Sequence, residues 1–140
     1  MSEFRSTLQL ELVCPWAHDG RGEWEFLSDL RYYSDLLQTE VTVYQSFRYD
    51  QASVPRLPVA FALYGNRYAR SAGVHDLFCR NNAIPRDVAD KVFLEAMRVE
   101  NEEEIASMVN ADEDEIASRK AILEGQALAM YAGVRIGAKF

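Results

Sequence analysis

A histidine and an aspartate stand side by side at positions 75 and 76, inside the apolar stretch SAGVHDLFCRNN. An imidazole held by a carboxylate can act as a general base towards water or a hydroxyl group. Neighbouring residues on a helix point about 100° apart, so Asp76 is poorly placed to orient the ring of His75. We therefore expect the orienting carboxylate to come from another segment, with Asp50 and Asp90 as candidates.

The segment FRYDQASVPR, residues 47–56, contributes two further polar side chains. Asp50 and Ser53 have the spacing of an Asx-type turn, in which the carboxylate accepts hydrogen bonds from backbone amides. They also fit the rim of a pocket around His75, where Ser53 would be a nucleophile or a substrate ligand. The spacing leaves both interpretations open.

The segment PRDVAD, residues 85–90, places Arg86 and Asp90 four residues apart on one helix face. The pair fits a surface ion pair worth about 0.2–0.5 kcal/mol, as does the pair formed by Asp76 and Arg80. Alternatively, Asp90 points inward and must then be paired, with His75 or Arg70 as its partner. Arg70, Asp76 and Arg86 are thus candidate binding residues, and Asp90 is a candidate catalytic residue.

Three alternatives for His75 stay open at this point. Asp50, His75 and Asp90 could together hold a divalent metal with open coordination positions. A metal-free general base oriented by Asp50 or Asp90 is equally compatible, as is a buried histidine whose hydrogen bonds are satisfied. The second histidine, His18, is expected to be exposed in a turn and is assigned no role.

The pattern along the chain predicts a single α+β domain over residues 1–140, strand-rich over about 1–50 and helix-rich over about 56–138. Apolar and polar residues alternate in the first part, which predicts three or four antiparallel strands. Apolar residues at helical spacing follow and predict five helices. Two are predicted over residues 59–64 and 68–79, and the other three begin near residue 85, in the acidic run at 100–104 and near residues 110–115.

Composition limits the function classes. The net charge of −7 argues against binding to nucleic acid or to an anionic membrane surface. The longest apolar run, residues 59–64, is too short to span a bilayer. The two cysteines have no metal-binding spacing and are expected to be reduced thiols. We therefore expect a soluble protein made in a cytoplasm.

Five short segments follow one another along the chain in a characteristic order: Trp24-Glu25-Phe26, FRYDQASVPR, YARSAGVHDLF, PRDVADKVFLEAM and YAGVRIG. Together they resemble a family of small phage- and prophage-encoded proteins known only as a domain of unknown function. That family has Phe-x-Thr-Asp-x-Ala-Ser-x-Pro, His-Asp and Arg-x-x-Ala-Asp elements in this order. The chain departs from the pattern at Tyr49, where threonine is usual, and at Phe78 or Cys79, where tyrosine is usual. The acidic stretch 100–118 looks like an extension.

The resemblance implies a phage or prophage origin and synthesis in a bacterial host, with association with the virion left open. It implies a site drawn from Asp50, Ser53, His75, Asp76, Arg86 and Asp90, but no established reaction. Combined with the residue types, it favours a hydrolase-like His/Asp site acting on the bacterial cell wall during entry or lysis. The alternative is a non-catalytic tail or baseplate component that binds other phage structural proteins.

Overall fold

The computed structural model describes residues 1–18, 20, 22–50 and 67–137. Within these ranges, short antiparallel strands come first and helices follow, so the predicted α+β class is confirmed. The strands are β1 (Glu3–Phe4), β2 (Leu10–Cys14), β3 (Glu23–Phe26), β4 (Leu30–Ser34), β5 (Thr39–Val43) and β6 (Arg48–Tyr49). The helices are α1 (Ala69–Asn81), α2 (Arg86–Ala106) and α3 (Glu113–Gly137). The helix predicted over 59–64 lies outside the described residues.

The strands form two three-stranded sheets, in the orders β1-β4-β5 and β2-β3-β6. In β4, Leu30, Tyr32 and Ser34 are buried and alternate with more exposed residues, which is the two-residue period that predicted the strand. Leu30 pairs with Val43 of β5 across the ladder. The buried side of this hairpin therefore faces the helices.

Helix α2 lies between the other two helices and contacts both. Its predicted apolar stripe is buried throughout and consists of Ala89, Val92, Phe93, Ala96 and Met97. Near the middle of α2, Glu95 accepts hydrogen bonds from the hydroxyls of Tyr32 and Ser34, both at 2.7 Å. These bonds attach α2 to the β4–β5 hairpin. In the described ranges, no helix is long and apolar enough to cross a membrane.

The prediction that a new helix begins in the acidic run at 100–104 is wrong, because α2 continues through this run to Ala106. Residues 86–106 contain no glycine or proline, and the buried face continues through Val99 and Asn101. The carboxylates therefore lie near the negative end of the helix dipole, where they are unfavourable. Three arginines from other segments compensate.

Those arginines are Arg67, Arg70 and Arg119. Arg67 and Arg119 both pair with Glu104, and Arg70 pairs with Glu100 and Glu103. The expectation that Arg70 partners Asp90 is therefore wrong, because its guanidinium is held by the acidic end of α2. The guanidinium also lies 4.4 Å from the ring centre of Phe4, which ties β1 to this corner of the protein.

Two glycines inside helices provide a matched test of this packing. A Cβ added at Gly73 of α1 would stand 2.7 Å from Cζ of Phe26, closer than van der Waals contact allows. We expect Gly73→Ala to lower the free energy of unfolding by about 1–3 kcal/mol, measured by urea denaturation. Gly125→Ala in α3, where no atom of the described residues would lie within 4 Å of the new Cβ, is expected to raise it by up to about 1 kcal/mol. Equal effects would contradict the packing of α1 on β3.

Candidate functional site

His75 of α1 and Asp90 of α2 meet inside the protein. Nε2 of His75 lies 2.6 Å from Oδ1 of Asp90, and the two side chains are 1% and 0% exposed. His75 lies on the buried face of α1, and Asp90 lies on the buried face of α2 beside its apolar stripe. The structure therefore brings together the imidazole and one of its two candidate carboxylates.

Two partly exposed arginines, Arg86 and Arg135, join the buried pair of His75 and Asp90. These four residues are hereafter the His75–Asp90 cluster. Nε of Arg86 donates to Oδ1 of Asp90 at 3.0 Å, and Arg135 of α3 donates to Oδ2 at 2.6 Å. Burial by itself raises the pKa of the Asp90 carboxyl, but the bonds from His75, Arg86 and Arg135 outweigh it and hold the pKa below its usual value. Asp90 is therefore a carboxylate that joins all three helices.

The imidazole of His75 is neutral in this setting, because burial lowers its pKa more than Asp90 raises it. We assign the ring proton to Nε2, which then donates to Asp90. The ring stacks on Phe93, with centres 4.7 Å apart and planes inclined by 26°. Both the proton and the ring faces are thus used in internal contacts.

Cys79, one helical turn after His75, does not turn this cluster into a nucleophilic site. Its Sγ lies 3.8 Å from Nδ1 and 3.7 Å from Nε2 of His75, at the long end of the range for a hydrogen bond to sulfur. Burial raises the pKa of the Cys79 thiol to about 11, which keeps the sulfur protonated at neutral pH. Because the thiolate is the nucleophilic form, Cys79 is a poor nucleophile here. The contacts of His75 and Asp90 with each other and with the two arginines favour structural stabilisation over catalysis.

Asp76 points in a different direction from His75, as the angle between adjacent helical residues requires, although the charge of Arg86 still acts on its carboxyl group. Its side chain is 25% exposed, and Oδ2 lies 2.8 Å from a terminal nitrogen of Arg80 without the alignment of a hydrogen bond. The predicted ion pair between Asp76 and Arg80 is therefore present.

The environment of Asp76 makes its carboxyl unusually weak as an acid. Burial raises its pKa to about 6, against the lowering effect of Arg80, and the charge of Asp50 raises it further. His18 is also near enough for its charge to act on Asp76. Asp50 and Asp76 are thus close enough for their charges to interact, and this pair includes one carboxyl group, that of Asp76, whose pKa is about 6. Such pairs are suited to general acid–base catalysis.

The remaining predicted site residues are distributed as follows. Asp50 lies at the end of β6, near Asp76, and Arg86 contacts Asp90. Ser53 falls outside the described residues. Among the described residues, which include Asp50, His75 and Asp90, no group of three or more His, Cys, Asp or Glu side chains is placed to hold a metal ion.

Sequence reasoning missed two contributors. Arg135 is 45 residues from Asp90, and no periodic pattern connects positions so far apart. His18 lies in an exposed turn, as expected, but its position near Asp76 arises only from the packing of the β2–β3 turn beside α1. Arg135 lies in the YAGVRIG segment that carries the family resemblance, but that segment did not indicate contact with Asp90, and His18 carried no signal beyond its type.

Comparison with known proteins identifies the family. A family model described as DUF1353, a protein of unknown function, matches residues 24–110. The matched range contains Asp50, His75, Asp76 and Asp90 and ends before α3. No curated protein and no solved structure gives a significant match. Because the model matches more than half of the 140 residues, the chain belongs to the DUF1353 family of proteins of unknown function.

Proposed function

We propose that this protein is a phage or prophage hydrolase that cleaves the bacterial cell wall, with Asp76 and Asp50 as its acid–base pair. The observation that carries the proposal is the contrast within the His-Asp dipeptide. Asp76 keeps a quarter of its side chain exposed beside a second carboxyl group, whereas the adjacent His75 is 1% exposed. A substrate can reach the aspartate and not the imidazole.

The chemistry of a carboxyl pair suits a glycosidic bond. One carboxylic acid protonates the leaving oxygen, and a second carboxylate attacks the sugar or activates a water molecule. Asp76 supplies the acid, because a pKa of about 6 leaves a useful protonated fraction near neutral pH. Asp50 supplies the second carboxylate. The glycan strands of the cell wall contain the bonds that such a pair would cleave.

The His75–Asp90 cluster then has a positioning role. It fixes one face of α1 against α2 and α3, and Asp76 projects from the neighbouring face of the same helical turn. A change in the cluster would shift Asp76 relative to Asp50 and β6. His75 is therefore a positioning residue in this proposal and not the general base.

The test is the loss of turbidity of purified bacterial sacculi, with release of reducing sugar ends measured in parallel. We expect the parent protein to clear the sacculi. Asp76→Asn should clear them at least about 100-fold more slowly, because losing a general acid usually lowers the rate by at least this factor. Asp87→Asn, an exposed aspartate in the first turn of α2, is the matched control and should clear normally. Clearing by Asp76→Asn at the parent rate would contradict the assignment of Asp76. If the folded parent protein does not clear the sacculi, the bacterial cell wall is not its substrate.

A second candidate is a non-catalytic tail or baseplate component of a virion. The full burial of His75 and Asp90 favours it, because these two side chains join α1 to α2 and, through Arg135, to α3 without offering a group to any substrate. A lower melting temperature for His75→Ala, together with no sacculus clearing by the parent, would support this candidate over the hydrolase.

A further inference from the structure

One face of α3 is apolar and exposed over most of its length. Every exposed residue between positions 121 and 136 is apolar, although the chain as a whole carries a net charge of −7. Ile122, Leu128 and Ile136 are each 44–50% exposed, and small residues lie between them. The face extends for about 22 Å along the helix, at a rise of 1.5 Å per residue. An apolar surface of this shape indicates a binding partner.

Gly125, in the N-terminal half of this face, gives independent support. Glycine inside a helix costs about 0.5–1 kcal/mol relative to alanine. A Cβ at position 125 would meet no atom of the described residues within 4 Å, so the packing of this part of the chain does not require a glycine there. A glycine does allow the backbone of another element to come close. The position is therefore suited to the crossing point of a second helix.

We propose that two copies of this chain pair through this face, with antiparallel α3 helices and Gly125 of each copy at the two-fold axis. In such a pairing, a residue before Gly125 faces a residue about equally far after it in the other copy. Ile122 is three residues before Gly125, and Ala129 is four residues after it on the same side of the face. Each Ile122 thus packs on Ala129 of the other copy.

The opposite side of the face repeats this arrangement. Leu128 is three residues after Gly125, and Ala121 is four residues before it. Each Leu128 thus packs on Ala121 of the other copy. Large side chains meet small ones on both sides of the axis, which is the interlocking that close helix packing needs. Residues 121–129 of this face are therefore complementary to themselves in the antiparallel direction.

The charges at the two ends of the face agree with the same pairing. Asp114 is eleven residues before Gly125 and Arg135 is ten residues after it, on the side of Leu128 and Ala121. Antiparallel helices bring Asp114 of each copy to the turn of the other copy that carries Arg135 and Ile136, where the Arg135 side chain is 35% exposed and also donates to Asp90. A parallel pair would set Asp114 against Asp114. Antiparallel helix dipoles add to the preference.

The oligomeric state can be measured by sedimentation equilibrium up to a concentration of about 0.5 mM, because small interfaces dissociate in the micromolar range. We expect a monomer–dimer equilibrium that Ile122→Glu and Leu128→Glu abolish. Val109→Glu, at a 78% exposed residue between α2 and α3, is the control and should dimerise normally. Unchanged melting temperatures would show that the variants fold. A parent that stays monomeric, or a dimer that survives both face variants, would overturn the proposal.

Disulfide crosslinking tests the direction of the helices. A mixture of Ala121→Cys and Leu128→Cys chains should form a crosslinked dimer, whereas either variant alone should crosslink no more than the parent with its two native cysteines. Crosslinking of each variant with itself in preference to the mixture would overturn the antiparallel pairing. These residues are separate from Asp50 and Asp76, so the dimer can exist whether or not the protein is a hydrolase.

Discussion

Replacement of Asp90 by alanine is expected to lower the free energy of unfolding by about 3–5 kcal/mol, the range for breaking a buried ion pair by removing one partner. Asp90 is fully buried and accepts hydrogen bonds from His75, Arg86 and Arg135. The two arginines are each more than one third exposed and can turn to water. The imidazole cannot, so the substitution leaves its buried N–H without an acceptor.

Urea denaturation at pH 7 measures this loss, with Asp87→Ala as the matched control. Asp87 is exposed in the first turn of the same helix, and its removal should cost less than about 1 kcal/mol. Because the pKa of Asp90 is lowered by folding, its contribution is full above about pH 4 and falls as the pH drops through the folded-state pKa. The deficit of the variant should therefore shrink in acid. Equal losses at positions 87 and 90 would show that the cluster does not hold the helices together.

Replacement of Asp76 by asparagine is expected to raise the free energy of unfolding at pH 7 by about 1–3 kcal/mol. Burial and the charge of Asp50 raise the pKa of Asp76 to about 6, whereas an unfolded chain has a value of about 3.9. Ionising Asp76 therefore destabilises the folded state as the pH rises from about 4 to about 6. Asparagine removes that cost, and the loss of the Arg80 ion pair offsets only a small part of the gain.

The pH dependence distinguishes this effect from a general gain in stability. The advantage of Asp76→Asn over the parent should be complete above about pH 6 and disappear below about pH 4, where both proteins carry a neutral group. Asp87→Asn should show no such advantage. A variant that is less stable than the parent at pH 7 would mean that Asp76 is a structural carboxylate. Stability gained together with clearing activity lost is the combination expected of a catalytic group.

The fold was largely accessible from the sequence, because its signals are local. Alternation of apolar residues gives β4, and helical spacing from Ala89 to Met97 gives the buried face of α2. The acidic run at 100–104 misled the prediction because glutamate is favoured in the first turn of a helix. Its true partners, Arg67 and Arg119, come from other segments, and no local pattern shows that they neutralise the end of α2.

The candidate site was accessible only in part, for the same reason. The spacing of Arg86 and Asp90 shows that they share a helix face, but whether that face points inward depends on α1 and α3 packing against it. The sequence also shows that His75 and Asp76 point in different directions. It does not show which of them faces the core, and this decides their roles.

The most direct test of the account is an NMR titration that follows the Asp76 carboxyl carbon and the His75 ring in the folded protein. We predict that Asp76 titrates at about pH 6, because it is partly buried beside Asp50. We predict that His75 titrates below pH 6.5, because burial lowers its pKa. An Asp76 pKa near 4, or a His75 pKa at or above 6.5, would contradict the assignment of the acid–base role to Asp76 and the positioning role to His75.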